Sequence, residues 1–273
     1  MKKLAIGIAA VVALIGGPAL AADMAVKAPT VPTVAPAPVS NWTGAYVGGS
    51  LGWGWSNQNW TLNGGFAAFT NDPLGSGNRD GFLGGIQGGY NFQFSPSWVA
   101  GIQADFTWSN ITGNVKNTAA PDGRCFDTKF VSDQSADCAA TTRSFGTLTA
   151  KLGYLPIDNL MIYAKGGLAW VNTNYGVTND IDISGGTCGP VGTTHPNYNT
   201  TRQTYSTGTA GGGAELRVTS NMTVFGEYDW IGGHNSTVNM TNPSADPCVA
   251  NFSSTVNLGA INIFKFGANY QFH

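Results

Sequence analysis

The chain has 273 residues, of which 42% are apolar, 11% aromatic and only 10% charged, with 38 Gly and a formal net charge of −2. Soluble domains carry about 25% charged residues, so this composition argues against an ordinary cytoplasmic enzyme. The aromatic content excludes a disordered chain, and the charge balance offers no broad basic surface for nucleic acid.

At the N-terminus, Lys2 and Lys3 precede an apolar run from Leu4 to Leu20, with Ala19-Leu20-Ala21 before Ala22. A basic start, an apolar stretch and small residues at the cleavage position predict a secretory signal peptide over residues 1–21. Gly16, Gly17 and Pro18 argue against a retained helix. Beyond this leader no apolar run approaches the roughly 18–20 residues of a membrane helix. Residues 22–41 are rich in Ala and Pro, with Pro29, Pro32, Pro36 and Pro38. Such spacing favours extended polyproline and predicts a periplasmic tether. Residues 42–273 are then one all-β domain.

From Trp42 onward the hydrophobic period is two. The first predicted strand spans roughly Ala45–Trp55, with Val47, Leu51, Trp53 and Trp55 on one parity and Tyr46 on the other. Further strands follow Phe82 to Phe94, Trp98 to Trp108, Thr147 to Tyr154 and Leu160 to Trp170. A weaker run covers Thr204–Leu216, and the last two run from Met222 to Trp230 and from Leu258 to Phe272. Strands of this length suit a membrane crossing better than the usual five or six residues.

Short links at Ser95–Ser97, Pro156–Asn159 and Arg217–Asn221 alternate with long polar stretches at Ser56–Asp80, Ser109–Thr142, Gly176–Thr201 and Gly232–Ser253. Several long structureless loops are uncommon in a soluble domain but usual in an outer-membrane barrel. The sequence therefore predicts an eight-stranded antiparallel up-and-down transmembrane β-barrel, with short periplasmic turns and long extracellular loops. Asp105, Lys151, Lys165, Glu215, Glu227, Asp229 and Lys265 all oppose the bulky apolar parity of their strands. Chance would arrange this about one time in a hundred. The reason is energetic, because a Lys facing lipid at the midplane costs about 2–4 kcal/mol. A soluble sandwich also alternates, but each strand would then need a covering sheet and the long loops would lack a reason.

These seven residues are expected to form an ion network in the lumen. Lys265 is expected to pair with Glu227 or Asp229 and Asp105 with Lys151, with Glu215 and Lys165 joining them. An eight-stranded barrel is just wide enough for side chains to fill it. Trp53, Trp55, Tyr90, Phe94, Trp98, Trp108, Tyr154, Trp170, Tyr228 and Trp230 cluster towards strand ends, as an aromatic girdle would. Glycine clusters at 84–89 and 211–213 lack the βαβ context of a phosphate loop and suit close approach within a wall.

The four cysteines fall in predicted outer loops, where disulfides are permitted. Cys125–Cys138 is the expected short closure and Cys188–Cys248 the expected link between two loops. Metal-ligand spacing is absent, and His195 and His234 are isolated. No catalytic residues, cofactor or metal are assigned.

The terminal Phe264-Lys-Phe-Gly-Ala-Asn-Tyr-Gln-Phe272 resembles the last-strand signal of outer-membrane proteins, carried here by Phe264, Phe266, Tyr270 and Phe272 and followed by an additional His273. The segment Trp42–Trp55 after a Pro-rich tether resembles the opening of the small outer-membrane β-barrel surface-antigen family of alphaproteobacteria. So does Ala210-Gly-Gly-Gly-Ala-Glu-Leu216 followed by Val224-Phe-Gly-Glu-Tyr-Asp-Trp230. The resemblance implies a porin-like, OmpA-type barrel in the outer membrane, with a structural, envelope-integrity and surface-interaction role. It further implies contact with outer-membrane lipid and lipopolysaccharide, recognition by the barrel assembly machinery and an unidentified extracellular partner. The alternative is a small diffusion porin for polar solutes. A lipid-modifying enzyme or a haem-binding surface protein ranks below both.

Overall fold

The computed structural model describes residues 41–64, 72–117, 124–125, 134–182, 190–194, 197–241 and 251–273. The expected signal peptide, the tether up to residue 40, Cys188, His195 and Cys248 lie outside them. Ten strands follow one another: β1 (Gly44–Gly64), β2 (Asp72–Ser95), β3 (Trp98–Ile111), β4 (Gln134–Ile157), β5 (Leu160–Asp182), β6 (Thr201–Arg217), β7 (Met222–Ile231), β8 (His234–Met240), β9 (Phe252–Leu258) and β10 (Ile261–Gln271).

Strands β1 to β7 pair each with the next, antiparallel throughout, and β10 pairs with β7. The ring closes where β10 meets β1, from Tyr46 opposite Gln271 to Trp55 opposite Asn262. Eight strands thus form a sealed cylinder, which leaves no free sheet edge. Above it, β8 and β9 form a hairpin, and β9 continues the ring by pairing with β1 from Gln58 to Gly64.

Within the ring the alternation is inside-out. On β1, Val47, Leu51, Trp53 and Trp55 point outward and are exposed, whereas Tyr46 and Ser50 point inward and are buried. Tyr46 departs from the bulky apolar parity because it belongs to the interior, where its hydroxyl donates to Gln103 Oε1 at 2.7 Å. The outward aromatics form two bands. Tyr90, Trp98, Tyr154 and Tyr270 lie towards the short turns; Trp53, Trp55, Trp108, Trp170, Tyr228 and Trp230 lie towards the opposite end, and all are exposed. Trp98 and Tyr154 are in ring contact at 5.3 Å, and Trp55 and Tyr228 at 6.4 Å.

Several strands run further into the long polar stretches than the sequence predicts. Ser56–Asp80 contributes β1 as far as Gly64 and β2 from Asp72, and Gly176–Thr201 contributes β5 as far as Asp182. The period of two persists, but its chemistry inverts past Trp55. Asn57, Asn59 and Thr61 now face out, while Trp60 and Leu62 face in. Here the outward side chains are polar and the apolar ones turn to the interior, as in any half-buried sheet. They meet Leu74, Ile111, Val115, Tyr175, Val177, Val238, Met240, Phe252 and Val256 in an apolar core above the ring.

On β4 the inward parity changes from even to odd at a bulge between Thr142 and Ser144, so Ala140 and Thr142 point in above it and Phe145 and Thr147 below it. Cys125 and Cys138 form a disulfide within the apolar core, 13 residues apart in sequence. Closing a loop of that size contributes about 3 kcal/mol in the chain-entropy view.

Candidate functional site

The inward residues of the ring strands line the lumen. At its lower end Trp42, Val99, Leu155, Met161 and Tyr163 pack into a small apolar cluster. Trp42 donates its indole N–H to Asp158 O at 3.0 Å and lies under the Arg217 guanidinium, 4.5 Å from the ring centroid. Arg217 also donates to Gln271 Oε1 at 2.8 Å, Ser220 O at 2.7 Å and Asn41 O at 3.1 Å. His273, the departure from the terminal signal, lies on this rim against Ser220 O at 3.1 Å. The apolar parity of β10, with Phe264, Phe266 and Tyr270, points outward and Phe272 beyond it is exposed.

Above this cluster lies a layer of charge. Asp105, Lys151, Lys165, Glu215, Glu227, Asp229 and Lys265 are all buried and inward. Lys265 sits opposite Glu227 in the β10–β7 register and bridges Glu227 at 2.9 Å, Asp229 at 2.8 Å and Asp105 at 3.5 Å. Lys165 reaches Glu227 at 2.7 Å and Asp229 at 3.2 Å. Lys151 bridges Glu215 at 3.5 Å.

The expected Asp105–Lys151 pair does not form. Asp105 is registered with Thr147, and Lys151 with Gly101, so the two are offset by four residues along the strands. At roughly 3.3 Å per residue that separates them by about 13 Å. Counting residues from the turns ignores this stagger of the barrel wall. Lys151 joins the network indirectly. Its Nζ lies 3.4 Å from the Tyr46 hydroxyl, and Tyr46 bonds Gln103, whose Nε2 donates to Asp105 at 3.2 Å.

Lys165 and Tyr163 lie on β5 and their acidic partners on β7, with β6 between them. Residues 211–213 of β6 are all glycine. A Cβ on Gly211 would fall 2.1 Å from Asp229 Oδ1, and one on Gly213 would fall 3.0 Å from the Tyr163 hydroxyl. The bare backbone of β6 is what allows Lys165 to reach Asp229 and Glu227, and Tyr163 to donate to Glu227 Oε2 at 2.8 Å.

Sequence reasoning missed the neutral members of this layer. Gln87, Gln103, Asn269 and Tyr163 are buried there. Asn269 donates to Glu215 Oε1 at 2.8 Å and receives a bond from Gln87 at 2.7 Å. All oppose the bulky apolar parity of their own strands, and that parity was the signal that could have found them. Among the described residues no group of three or more His, Cys, Asp and Glu side chains is arranged to hold a metal ion.

The family described as outer membrane protein beta-barrel domain matches residues 8–272 of the chain. The 31 kDa outer-membrane immunogenic protein of Brucella melitensis is 30% identical over 272 residues, covering 97% of this chain and 98% of that protein. Its namesake in Brucella suis matches to the same extent. Among solved structures, the outer membrane protein OprG of Pseudomonas aeruginosa is similar at 14% identity and a TM-score of 0.47, over 86% of this chain and 98% of that one. The outer-membrane protease OmpT of Escherichia coli is similar at 11% identity and a TM-score of 0.43, over 84% and 97%. The outward apolar belt is thus the lipid-facing surface of a cell outer-membrane protein, and the chain belongs to the outer membrane protein beta-barrel domain family.

Proposed function

We propose that the protein is a structural and surface-interaction component of the outer membrane, a closed barrel that carries a rigid extracellular extension. The observation that supports this reading is the filling of the lumen at three successive levels. The lower end holds the Trp42 cluster, the middle the lysine–carboxylate layer, and the upper end the apolar core around Trp60, Leu62 and Val238. An eight-stranded ring has little room to spare, and ion pairs that satisfy one another also obstruct the path. The outward aromatic bands suit contact with lipid and with the lipopolysaccharide of the outer leaflet. The aromatic parity of β10 suits recognition by the barrel assembly machinery. The extracellular extension, cross-linked by Cys125–Cys138, is the surface offered to a partner outside the cell.

Planar-bilayer recording on the refolded full chain tests the closed lumen. No steady, discrete conductance steps are expected. Reproducible channels of constant size would overturn the reading in favour of a small diffusion porin.

A further inference from the structure

On the outward wall above Trp55, three neighbouring segments set polar side chains in a grid. Asn57 and Asn59 of β1 lie opposite Asn78 and Ser76 of β2. Ser76 is bridged in turn to Lys116, and Asp80 to Thr112, which brings Asn114 beside Asn78. Asn57, Asn59, Ser76, Asn78, Asn114 and Lys116 are all exposed. Strand geometry spaces such neighbours about 4.8 Å apart across the wall and about 6.7 Å apart along it. Together they line one cavity of about 720 Å³. Gly77 and Gly113 complete the lining, and a Cβ on either would run into the backbone carbonyl of Asn114 or Asn78.

The wall is fixed from the inside. Gln58 donates through Nε2 to Gly113 O and accepts the Ala140 N–H at 3.0 Å. Arg79, fully buried, donates to Ser56 Oγ at 3.1 Å and to Thr142 Oγ1 at 3.2 Å. These bonds tie β1, β2, β4 and residues 112–116 together, so the grid stands ready before any ligand arrives. Its side chains are uncommitted. None of the six makes a hydrogen bond or ion pair with another protein group among the described residues. Several amides elsewhere on the extension are engaged: Asn63 with Thr255 at 2.7 Å, Asn172 with Thr204 at 2.9 Å and Asn174 with Arg202 at 3.0 Å.

A second cavity, of about 480 Å³, adjoins the first through Asn57 and Asn78 and runs down to Trp55, Asp80 and Asn262. Both volumes fall within the range of about 300–1,000 Å³ usual for small-ligand sites, but the lining is polar where such sites are mostly apolar. An apolar ligand has little to bury here. The Lys116 ammonium is offset by the Asp80 carboxylate, so the groove has no cluster of cations for a phosphate-rich ligand. Amide side chains donate and accept at once, as hydroxyl groups do. The exposed Trp55 ring adds an apolar platform at the lower end, suited to the C–H face of a sugar ring.

We propose that this groove binds an uncharged saccharide chain, and that its occupant is the sugar of the lipopolysaccharide standing beside the barrel. The groove faces sideways, directly above the lipid-facing band that ends at Trp55, where the outer leaflet carries those sugars. The inference rests on the surface-interaction role proposed above and names its ligand class. It is independent of the lumen: conducting channels would leave the groove intact, and a groove without affinity would leave the lumen closed.

The test titrates the full chain in detergent micelles with the sugar chain released from lipopolysaccharide by mild acid and freed of phosphate, read by calorimetry. Saturable binding is expected, with an affinity that high salt leaves unchanged because the ligand carries no charge. Asn78→Ala should weaken it about fivefold, and N57A/N78A/N114A at least about tenfold. Trp55→Ala should weaken it about tenfold, and Asn172→Ala, outside the groove, should have no effect. The same titration on vesicles holding intact lipopolysaccharide should show the groove blocked, and vesicles holding only the lipid anchor should leave it open. No saturable binding, binding lost at high salt, or parent-like affinity in the triple variant would overturn the proposal. Free sugar that binds despite intact lipopolysaccharide would overturn the choice of occupant in favour of a glycan from outside. Heat-modifiable gel migration checks that each variant folds; should the triple variant fail, Asn78→Ala decides alone, and affinity equal to the parent chain's would overturn the proposal.

Discussion

Replacing Lys265 by methionine is expected to cost about 3–5 kcal/mol of folding stability, the penalty for removing one partner from a buried ion pair. Lys265 is 1% exposed and touches Glu227, Asp229 and Asp105 at 2.8–3.5 Å. Without it, Lys165 alone faces three carboxylates in the upper part of the layer. Methionine fills a similar volume, so the loss reports charge rather than a cavity. Urea unfolding of the variant in lipid vesicles measures it. The double variant K265M/E227Q should recover part of the loss, because neutralising Glu227 removes one of the stranded charges. A single variant as stable as the parent chain would show that the lysine–carboxylate layer does not hold the ring together.

On the other face of the wall, Leu51→Arg should cost about 2–4 kcal/mol, the depth-dependent penalty for a cation at the midplane. Leu51 is 61% exposed and lies midway along β1 between the two aromatic bands. Asn59→Arg, on the same outward parity eight residues later, should change stability by less than about 0.5 kcal/mol, as expected of a wet surface position. The same vesicle assay compares them. Equal effects at the two positions would place the lipid boundary elsewhere than at Trp55.

Much of this architecture is legible in the sequence because the lipid enforces it. A charge cannot face acyl chains, so each ionised residue in a crossing marks the interior parity of its strand. Tyr46 shows how a single exception is resolved: a tyrosine has a polar end and joins the lumen network through Gln103. The extracellular part was harder to read, since the inversion past Trp55 leaves Asn57, Asn59 and Thr61 on the outward side and makes the segment resemble a loop. Arg79 was hidden by the same inversion, although it shares the inward parity of Leu83 and Gln87. Two features were not accessible at all. The bulge at Thr142–Ser144 switches faces without a marker residue, and the stagger that sends Lys151 to Glu215 instead of Asp105 is a property of the closed ring rather than of any one strand.

The most direct measurement is a spin-label accessibility scan along β1 from residue 46 to residue 62 in lipid vesicles, using oxygen and a water-soluble nickel chelate as paired probes. Labels at Val47, Leu51 and Trp53 should be reached by oxygen, labels at Asn57, Asn59 and Thr61 by the chelate, and labels at Ser50, Ser56, Gln58 and Leu62 by neither. Chelate access at Ser50 or Ser56, or oxygen access continuing on the outward parity through Thr61, would contradict a filled lumen whose wall passes from lipid to water at Trp55.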